Sequence, residues 1–138
     1  KDLIARNKNR QLMRMTELYL ELPNRRLLPF SFSNQPAPES LITEVVAVVD
    51  RGINSINALA TFDPWVLGTE LTMADIYLFY VLTVAGMGCK ITGVDLNGRV
   101  PGLENWHATL AADPISQKVA ADTEANRDGF FGYIKSLR

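Results

Sequence analysis

The first part of the chain repeats apolar residues at helical spacing. The apolar residues of the series are Ile4, Leu12, Met15, Tyr19 and Leu22. Lys8 occupies the position between Ile4 and Leu12, so that successive members are three or four residues apart. Such intervals place side chains on one face of a helix, so the pattern predicts an amphipathic helix over residues 1–22. Pro23 is expected to end this helix or to lie just past its end, because proline has no amide hydrogen to donate to the preceding turn.

A second apolar series predicts a helix from Pro38 to Ala60. Its members share the 3.6-residue period and are Ile42, Val45, Val46, Val49, Ile53, Ile56, Leu59 and Ala60. Many of them are β-branched and would also suit a strand, but the length of the run and its one-sided polar residues favour a helix. Residues 29–38 have turn composition and no period, which predicts a surface loop between the two helices.

The tetrapeptide Thr72-Met73-Ala74-Asp75 has the pattern of a helix start. A threonine at the N-cap and an acidic residue three positions later can bond each other's backbone amides, an arrangement called a capping box. Leu71 and Ile76 occupy the flanking positions of a hydrophobic staple, which sets the direction in which the chain enters the helix. Alanine at either polar position is expected to cost about 1 to 2 kcal/mol of folding free energy.

The helix that starts at Thr72 is expected to be the central, buried helix of the fold. From Met73 to Met87 nearly every face is apolar, which is typical of a helix surrounded by others. At that length, and with a polar start, the segment does not predict a membrane span.

The remaining chain continues the helical pattern. Helices are predicted over residues 101–112 and from Asp113 to about Arg127, followed by an aromatic tail at residues 129–134. Asp113 is the expected N-cap of the last helix and Pro114 its first helical residue. No segment alternates polar and apolar residues as a half-buried strand would. The sequence therefore predicts an all-α bundle of five to six helices.

Composition narrows the range of functions. The chain has 138 residues, 47% of them hydrophobic, and its 14 Lys and Arg against 15 Asp and Glu give a net charge of −1. This balance indicates a folded domain and argues against electrostatic binding of nucleic acid. The charged first residues do not form a signal peptide, and a start inside a helical pattern without Met suggests part of a longer protein.

Few residues are suited to catalysis or metal binding. With one cysteine, Cys89, and one histidine, His107, no metal site and no internal disulfide are expected. His107 can be a general base or an ordinary structural or surface histidine, and its place in an amphipathic helix favours the latter. Cys89 lies beside Lys90 but has no histidine or second cysteine adjacent, which favours a passive thiol.

Three arginines of the first helix share one face. Arg6, Arg10 and Arg14 are four residues apart, so their guanidinium groups line up along the helix. They can present cations to an anionic ligand or a partner subunit, or they can form a solvated face. The sequence leaves both interpretations open.

Several motifs accompany the capping box in a characteristic order. The box lies in the run GTELTMADI at residues 68–76, after the turn WVLG at 65–68; the helix start VPGLENW at 100–106 and the break ADP at 112–114 follow. In this order and spacing, they resemble the C-terminal all-helical domain of the cytosolic glutathione S-transferase (GST) superfamily. The resemblance covers nearly the whole chain.

The resemblance implies a single helical domain over residues 1–138, without the thioredoxin-like N-terminal domain that binds glutathione. That domain supplies the Ser, Tyr or Cys that acts on the glutathione sulfur, so no catalytic residue is expected in this chain and the isolated chain is expected to be inactive. Glutathione is implied as the co-substrate of the full-length protein, and no cofactor is expected on this chain alone.

The resemblance also implies roles for the first two helices. The opening helix is implied to form one wall of the pocket for a small hydrophobic electrophile, and the candidates by helical position are Arg10, Met13, Arg14 and Glu17. The first two helices are implied to form much of a homodimer interface, for which the surplus apolar residues are Met13, Leu20, Val46 and Val48.

Two functions of different classes fit this resemblance. The first is a cytoplasmic detoxification enzyme that conjugates glutathione to an electrophile or reduces with it. The second is a non-catalytic GST-like module that serves protein interaction and assembly. A thioredoxin-like pattern with an early Ser, Tyr or Cys in the upstream sequence would favour the enzyme.

Overall fold

The computed structural model describes residues 2–33 and 35–136. Its helices in chain order are α1 (Leu3–Thr16), a π-helical segment (Glu17–Glu21), α2 (Leu22–Arg25), α3 (Leu28–Ser33), α4 (Glu39–Leu59), α5 (Met73–Thr92), α6 (Leu96–Arg99), α7 (Leu103–Ala111) and α8 (Pro114–Ser136). No strand forms within these described ranges, and five of the helices have nine or more residues. The all-α prediction is confirmed.

The chain divides after Trp106 into two compact units. In the first unit, α5 packs against α1, α2, α3 and α4, with the π-helical segment between α1 and α2 also in contact with it. The central place predicted for the helix after Thr72 is therefore confirmed. The single domain implied by the resemblance stays a prediction.

The first helix does not end at Pro23, where the sequence predicted its end. It continues through the π-helical segment into α2, and the Leu22 amide bonds to the carbonyl of Glu17, five residues earlier. In a regular α-helix the proline ring clashes with the carbonyl four residues before it. The wider π turn gives the ring space, so the helix bulges instead of ending.

The buried face of the first helix also differs from the predicted stripe. Side chains in the core follow one another in steps of four residues and are Leu12, Thr16, Leu20 and Asn24. Ile4 and Leu22, at the two ends of the predicted stripe, are exposed. Leu20 was assigned to a surplus apolar face, and this assignment is wrong because the side chain is fully enclosed in the core.

The helix predicted over residues 38–60 is confirmed as α4, within one residue at each end. Gly52 allows its close approach to the π-helical segment, because a Cβ at Gly52 would lie 2.9 Å from Tyr19 Cβ and 3.0 Å from the Tyr19 carbonyl oxygen. The loop predicted at residues 29–38 is shorter than expected, since α3 extends to Ser33 and Pro29 sits in its first turn, where a missing amide is tolerated. Asn34 lies outside the described residues.

One face of α5 is buried and the opposite face is exposed. The buried residues are Ala74, Asp75, Leu78, Val81, Ala85 and Gly88, whereas Met73, Ile76 and Tyr80 are exposed. The helix is thus central without being surrounded on all sides. It continues five residues beyond Met87 and ends at Gly93 with φ 75°, a left-handed cap that glycine adopts readily.

The extra length of α5 bears on the membrane prediction. With 20 residues, α5 is long and apolar enough to cross a membrane, judged by length and composition alone. Among the described helices, α5 is the one that meets this criterion. The core helix of a soluble protein passes the same test, so the absence of a membrane span stays a prediction.

The second unit consists mainly of α8. Asp113 Oδ1 accepts from the Ile115 amide at 2.8 Å, so the predicted aspartate cap with proline behind it is present. The predicted end near Arg127 is wrong, because the helix continues through the aromatic segment to Ser136. Glycines at 129 and 132 lower the helix propensity of this stretch by about 1 kcal/mol each without preventing a helix. No described residue of α8 is buried.

Candidate functional site

The start of α5 is organised by the carboxylate of Asp75, whose side chain is fully buried. One oxygen, Oδ2, accepts from the Thr72 amide at 2.8 Å and from the Thr72 hydroxyl at 2.9 Å. The other, Oδ1, accepts from the Val66 amide at 2.7 Å and from the Trp106 indole Nε1 at 2.9 Å. Four donors from three separate segments therefore meet on one carboxylate.

These bonds extend what the capping pattern predicted. The bond from the Thr72 amide to Asp75 is the return bond of the expected box. The bonds from Val66 and Trp106 were not foreseen. A buried indole N–H needs a hydrogen-bond acceptor. The presence of Trp106 could therefore have indicated a polar partner, but the sequence does not identify it. Asp75 consequently joins the turn at 65–68 and the start of α7 to the start of α5.

The predicted hydrophobic staple is only partly enclosed. The side chains of Leu71 and Ile76 are 50% and 40% exposed. Their exposed surface limits what a mutual contact contributes to stability in this chain, because the contribution scales with the area removed from water. The staple stays a prediction.

The four residues predicted to form a wall of the electrophile, or acceptor, pocket lie together where α1 and the start of the π-helical segment pack against α5. Arg10, Met13, Arg14 and Glu17 line one hollow of about 370 Å³ together with Tyr77 of α5, and we call it the Tyr77 hollow. A second hollow of about 480 Å³, the Met73 hollow, is lined by Ala5, Arg6, Asn9, Arg10, Met13, Thr72 and Met73. Arg10 and Met13 belong to both hollows.

Tyr77 is a site residue that the sequence analysis missed. Its hydroxyl donates to Glu21 Oε2 at 2.9 Å, and the other oxygen of Glu21 accepts from Arg25. Burial, followed by the hydrogen bond to Glu21 and its negative charge, raises the pKa of Tyr77 to about 12. At neutral pH the residue is therefore a fixed, uncharged phenol, suited to forming a wall and unsuited to acting as a base.

The three arginines that share a face of α1 differ in their partners. Arg14 forms an ion pair with Glu17, three residues further along the helix. Arg6 and Arg10 form no ion pair with any residue in the described part of the chain. Two unpaired cations, Arg6 and Arg10, therefore line the Met73 hollow, whereas the Tyr77 hollow has one, Arg10, beside the Arg14–Glu17 pair.

The other candidates for chemistry, His107 and Cys89, are not among the residues that line these hollows. His107 is exposed on α7, and Cys89 lies partly buried on α5. Burial, with a smaller contribution from the charge of Asp95, raises the pKa of the Cys89 thiol to about 11. Among the described residues, no three His, Cys, Asp or Glu side chains are grouped so that they could hold a metal ion.

The raised pKa of Cys89 predicts slow alkylation of the folded chain. Iodoacetamide reacts with the thiolate, so at pH 8 we expect modification roughly 100-fold slower than in the urea-unfolded chain, whose thiol has its ordinary pKa. The folded rate should keep rising with pH towards about 11, whereas the unfolded rate levels off above about pH 9. Equal rates at pH 8 would contradict the assignment of a passive thiol.

Comparison with known proteins agrees with this fold. The sequence pattern of the family described as "Glutathione S-transferase, C-terminal domain" matches residues 39–109, just over half of the chain, from the start of α4 into α7. The chain is also 26% identical over 136 residues to a curated protein of Pseudomonas putida named "Glutathione S-transferase". The alignment covers 98% of this chain and 62% of that relative.

The chain belongs to the family of GST C-terminal domains. Family members are associated with transferase activity on glutathione, with a thioredoxin-like N-terminal domain and with dimerisation. The chain spans less than two thirds of the length of the relative it matches. The activity of a whole protein that contains it is therefore a matter for proposal.

Proposed function

We propose that this chain is the acceptor-binding domain of a glutathione S-transferase, in which it forms one wall of the pocket for a small hydrophobic electrophile. The observation that carries the proposal is that Arg10, Met13, Arg14 and Glu17 all line one hollow, together with Tyr77 of α5. Glutathione is the co-substrate, and the residue that activates its sulfur lies in a thioredoxin-like domain outside this chain.

The residues of the hollow contribute binding surface and water exclusion. Met13 is flexible and polarisable, so it adapts to apolar acceptors of different shape. Tyr77 offers the face of a ring held in place through Glu21, which is suited to stacking on a flat aromatic acceptor. Removing water around the acceptor strengthens the attack of a thiolate presented by the other domain.

The dimer is proposed on a smaller set of residues than the sequence suggested. Leu20 is excluded because it lies in the core, while Met13, Val46 and Val48 are half-buried and can be covered further by a second subunit. Light scattering of the full-length protein at micromolar concentration tests this proposal, and a strictly monomeric mass would contradict it.

We also propose a cytoplasmic location and a role in detoxification.

The proposed division of labour predicts the activity of the isolated chain. Alone, the chain should not conjugate glutathione to 1-chloro-2,4-dinitrobenzene, and joining it to its natural upstream segment should produce activity. In the joined protein, Met13→Gln should raise the KM for the halide about five-fold and leave the KM for glutathione unchanged, because about 1 kcal/mol of apolar contact is lost.

A matched control uses Arg51, an exposed residue of α4 that lines neither hollow. Arg51→Gln should leave both KM values unchanged. Turnover by the isolated chain would show that the active site is misplaced. No turnover by the joined protein with any acceptor would favour the non-catalytic assembly module instead.

A further inference from the structure

The Met73 hollow combines an apolar lining with uncompensated positive charge. Ala5, Met13 and Met73 supply the apolar surface, and Met73 is 59% exposed although it is large and hydrophobic. Arg6 and Arg10 stand one helical turn apart at the same hollow and have no ion-pair partner among the described residues. An apolar body with an anionic group fits this combination better than a neutral molecule does.

The charged groups around the two hollows favour binding of an anion at the Met73 hollow rather than at the Tyr77 hollow. Asp2 Oδ1 accepts from the Ile4 and Ala5 amides at the start of α1, so that carboxylate is bonded to backbone rather than to an arginine. At the neighbouring Tyr77 hollow, Arg14 is paired with Glu17. On moving from the Met73 hollow to the Tyr77 hollow, an anion would keep Arg10, lose Arg6 and approach the carboxylate of Glu17.

We propose that the preferred acceptor is a hydrophobic organic anion whose carboxylate binds between Arg6 and Arg10 while its apolar body lies on Met13 and Met73. This proposal rests on the proposed function and specifies the substrate class by placing the acceptor in the Met73 hollow, which shares Arg10 and Met13 with the Tyr77 hollow. Two guanidinium groups one turn apart can each donate to a carboxylate, which gives short, charge-assisted hydrogen bonds. The apolar body covers methionine surface that is otherwise in water.

The test compares two acceptors of similar shape in the full-length protein. They are 4-chloro-3-nitrobenzoate and its methyl ester, which differ by one negative charge. In both reactions the glutathione thiolate attacks the ring carbon that bears chlorine. The C–S bond forms, the C–Cl bond breaks, chloride leaves and the thiol proton goes to the buffer. Each enzymatic rate is divided by its uncatalysed rate, because the ester is intrinsically the more reactive acceptor.

The benzoate should show the larger enzymatic enhancement, by roughly ten-fold or more in kcat/KM. Arg6→Gln and Arg10→Gln should each raise the KM for the benzoate roughly ten-fold and leave the KM for the ester unchanged. Arg6→Lys should restore part of the loss, since it keeps the charge without the forked donors. Arg51→Gln, the control on α4, should change neither acceptor. Equal enhancement of the two acceptors, or variants without selective effect, would overturn the inference.

Calorimetric titration of the full-length protein with 4-chloro-3-nitrobenzoate separates this inference from the proposed function. If the protein conjugates neither acceptor, the transferase proposal fails, and the titration alone decides the anion site. Binding of the benzoate that weakens roughly ten-fold in Arg6→Gln and Arg10→Gln would support the site. Absence of binding, including the case in which another domain covers the hollow, would overturn it.

Discussion

Replacing Asp75 with alanine is expected to lower the free energy of unfolding by about 3 to 5 kcal/mol, measured by chemical denaturation. The substitution leaves the Val66 amide, the Thr72 amide and the Trp106 indole without their common acceptor. Buried donors without a partner each carry a desolvation penalty of about 1 to 3 kcal/mol. The expected loss therefore exceeds the 1 to 2 kcal/mol that a capping box alone predicts.

Two further variants distinguish the four-bonded carboxylate from a simple cap. Asp75→Asn keeps one oxygen for Val66 and Trp106 but places an NH2 group against Thr72, so about half of the loss is expected. Thr72→Ala removes one hydroxyl donor and should cost about 1 kcal/mol. The double variant of Thr72 and Asp75 should lose less than the sum of the single variants, because the same bonds are counted twice. A loss below about 1 kcal/mol for Asp75→Ala would contradict this account.

Gly88→Ala is expected to destabilise the chain by about 2 to 3 kcal/mol. A Cβ built on Gly88 lies 1.9 Å from Asn24 Oδ1 and 2.6 Å from Asn24 Cγ, far inside contact distance. Asn24 has no room to yield, because its side chain is fully buried and its Nδ2 donates to the Leu20 carbonyl at 2.8 Å. The contact joins α5 to α2, so relief would require moving one helix against another.

Gly86, two residues earlier in the same helix, is the matched control. Apart from the nearby backbone of α5 itself, no atom of the described residues lies within 4 Å of a Cβ built there, so Gly86→Ala should stabilise the helix by about 0.5 to 1 kcal/mol. Adding Asn24→Ala to Gly88→Ala should cost less than the two single losses together, since the clash with the amide is removed and only the 2.9 Å approach to the Cβ of residue 24 remains. Similar effects of alanine at the two glycines would refute the close packing of α5 on α2.

The features that the sequence predicted well depend on local signals. The start of α4 and the cap at Asp113 are encoded within a few residues of where they act. Pro23 was misjudged because whether proline ends a helix or widens it depends on the helices packed around it. The roles of Val66 and Trp106 at Asp75 were not predictable, because their donors come from segments 9 and 31 residues away.

The candidate site divides in the same way. Arg10, Met13, Arg14 and Glu17 share one face of a single helix, so helical spacing alone grouped them. Tyr77 and Met73 line the hollows with these residues only because α5 packs against α1. No sequence pattern within α5 predicts that α1 is its neighbour. Arg6 and Arg10 have no ion-pair partner among the described residues, and this too depends on the folded chain rather than on a local pattern.

The π turn at Glu17–Glu21 has a consequence for the angular direction of side chains. In an uninterrupted α-helix each residue turns about 100°, so Asn24, eleven positions after Met13, would point within about 20° of it, towards the hollows. The surplus residue of the π turn subtracts one such step, which aligns Asn24 with Leu12 in the core. The buried face therefore runs from Leu12 to Asn24 through the π turn, while Met13 on the adjacent face lines the hollows. Deleting one residue between Glu17 and Glu21 would remove the surplus, so a regular α-helix would still direct Asn24 to the core. A regular α-helix over the unchanged sequence would instead turn Asn24 by about 100°, away from Gly88.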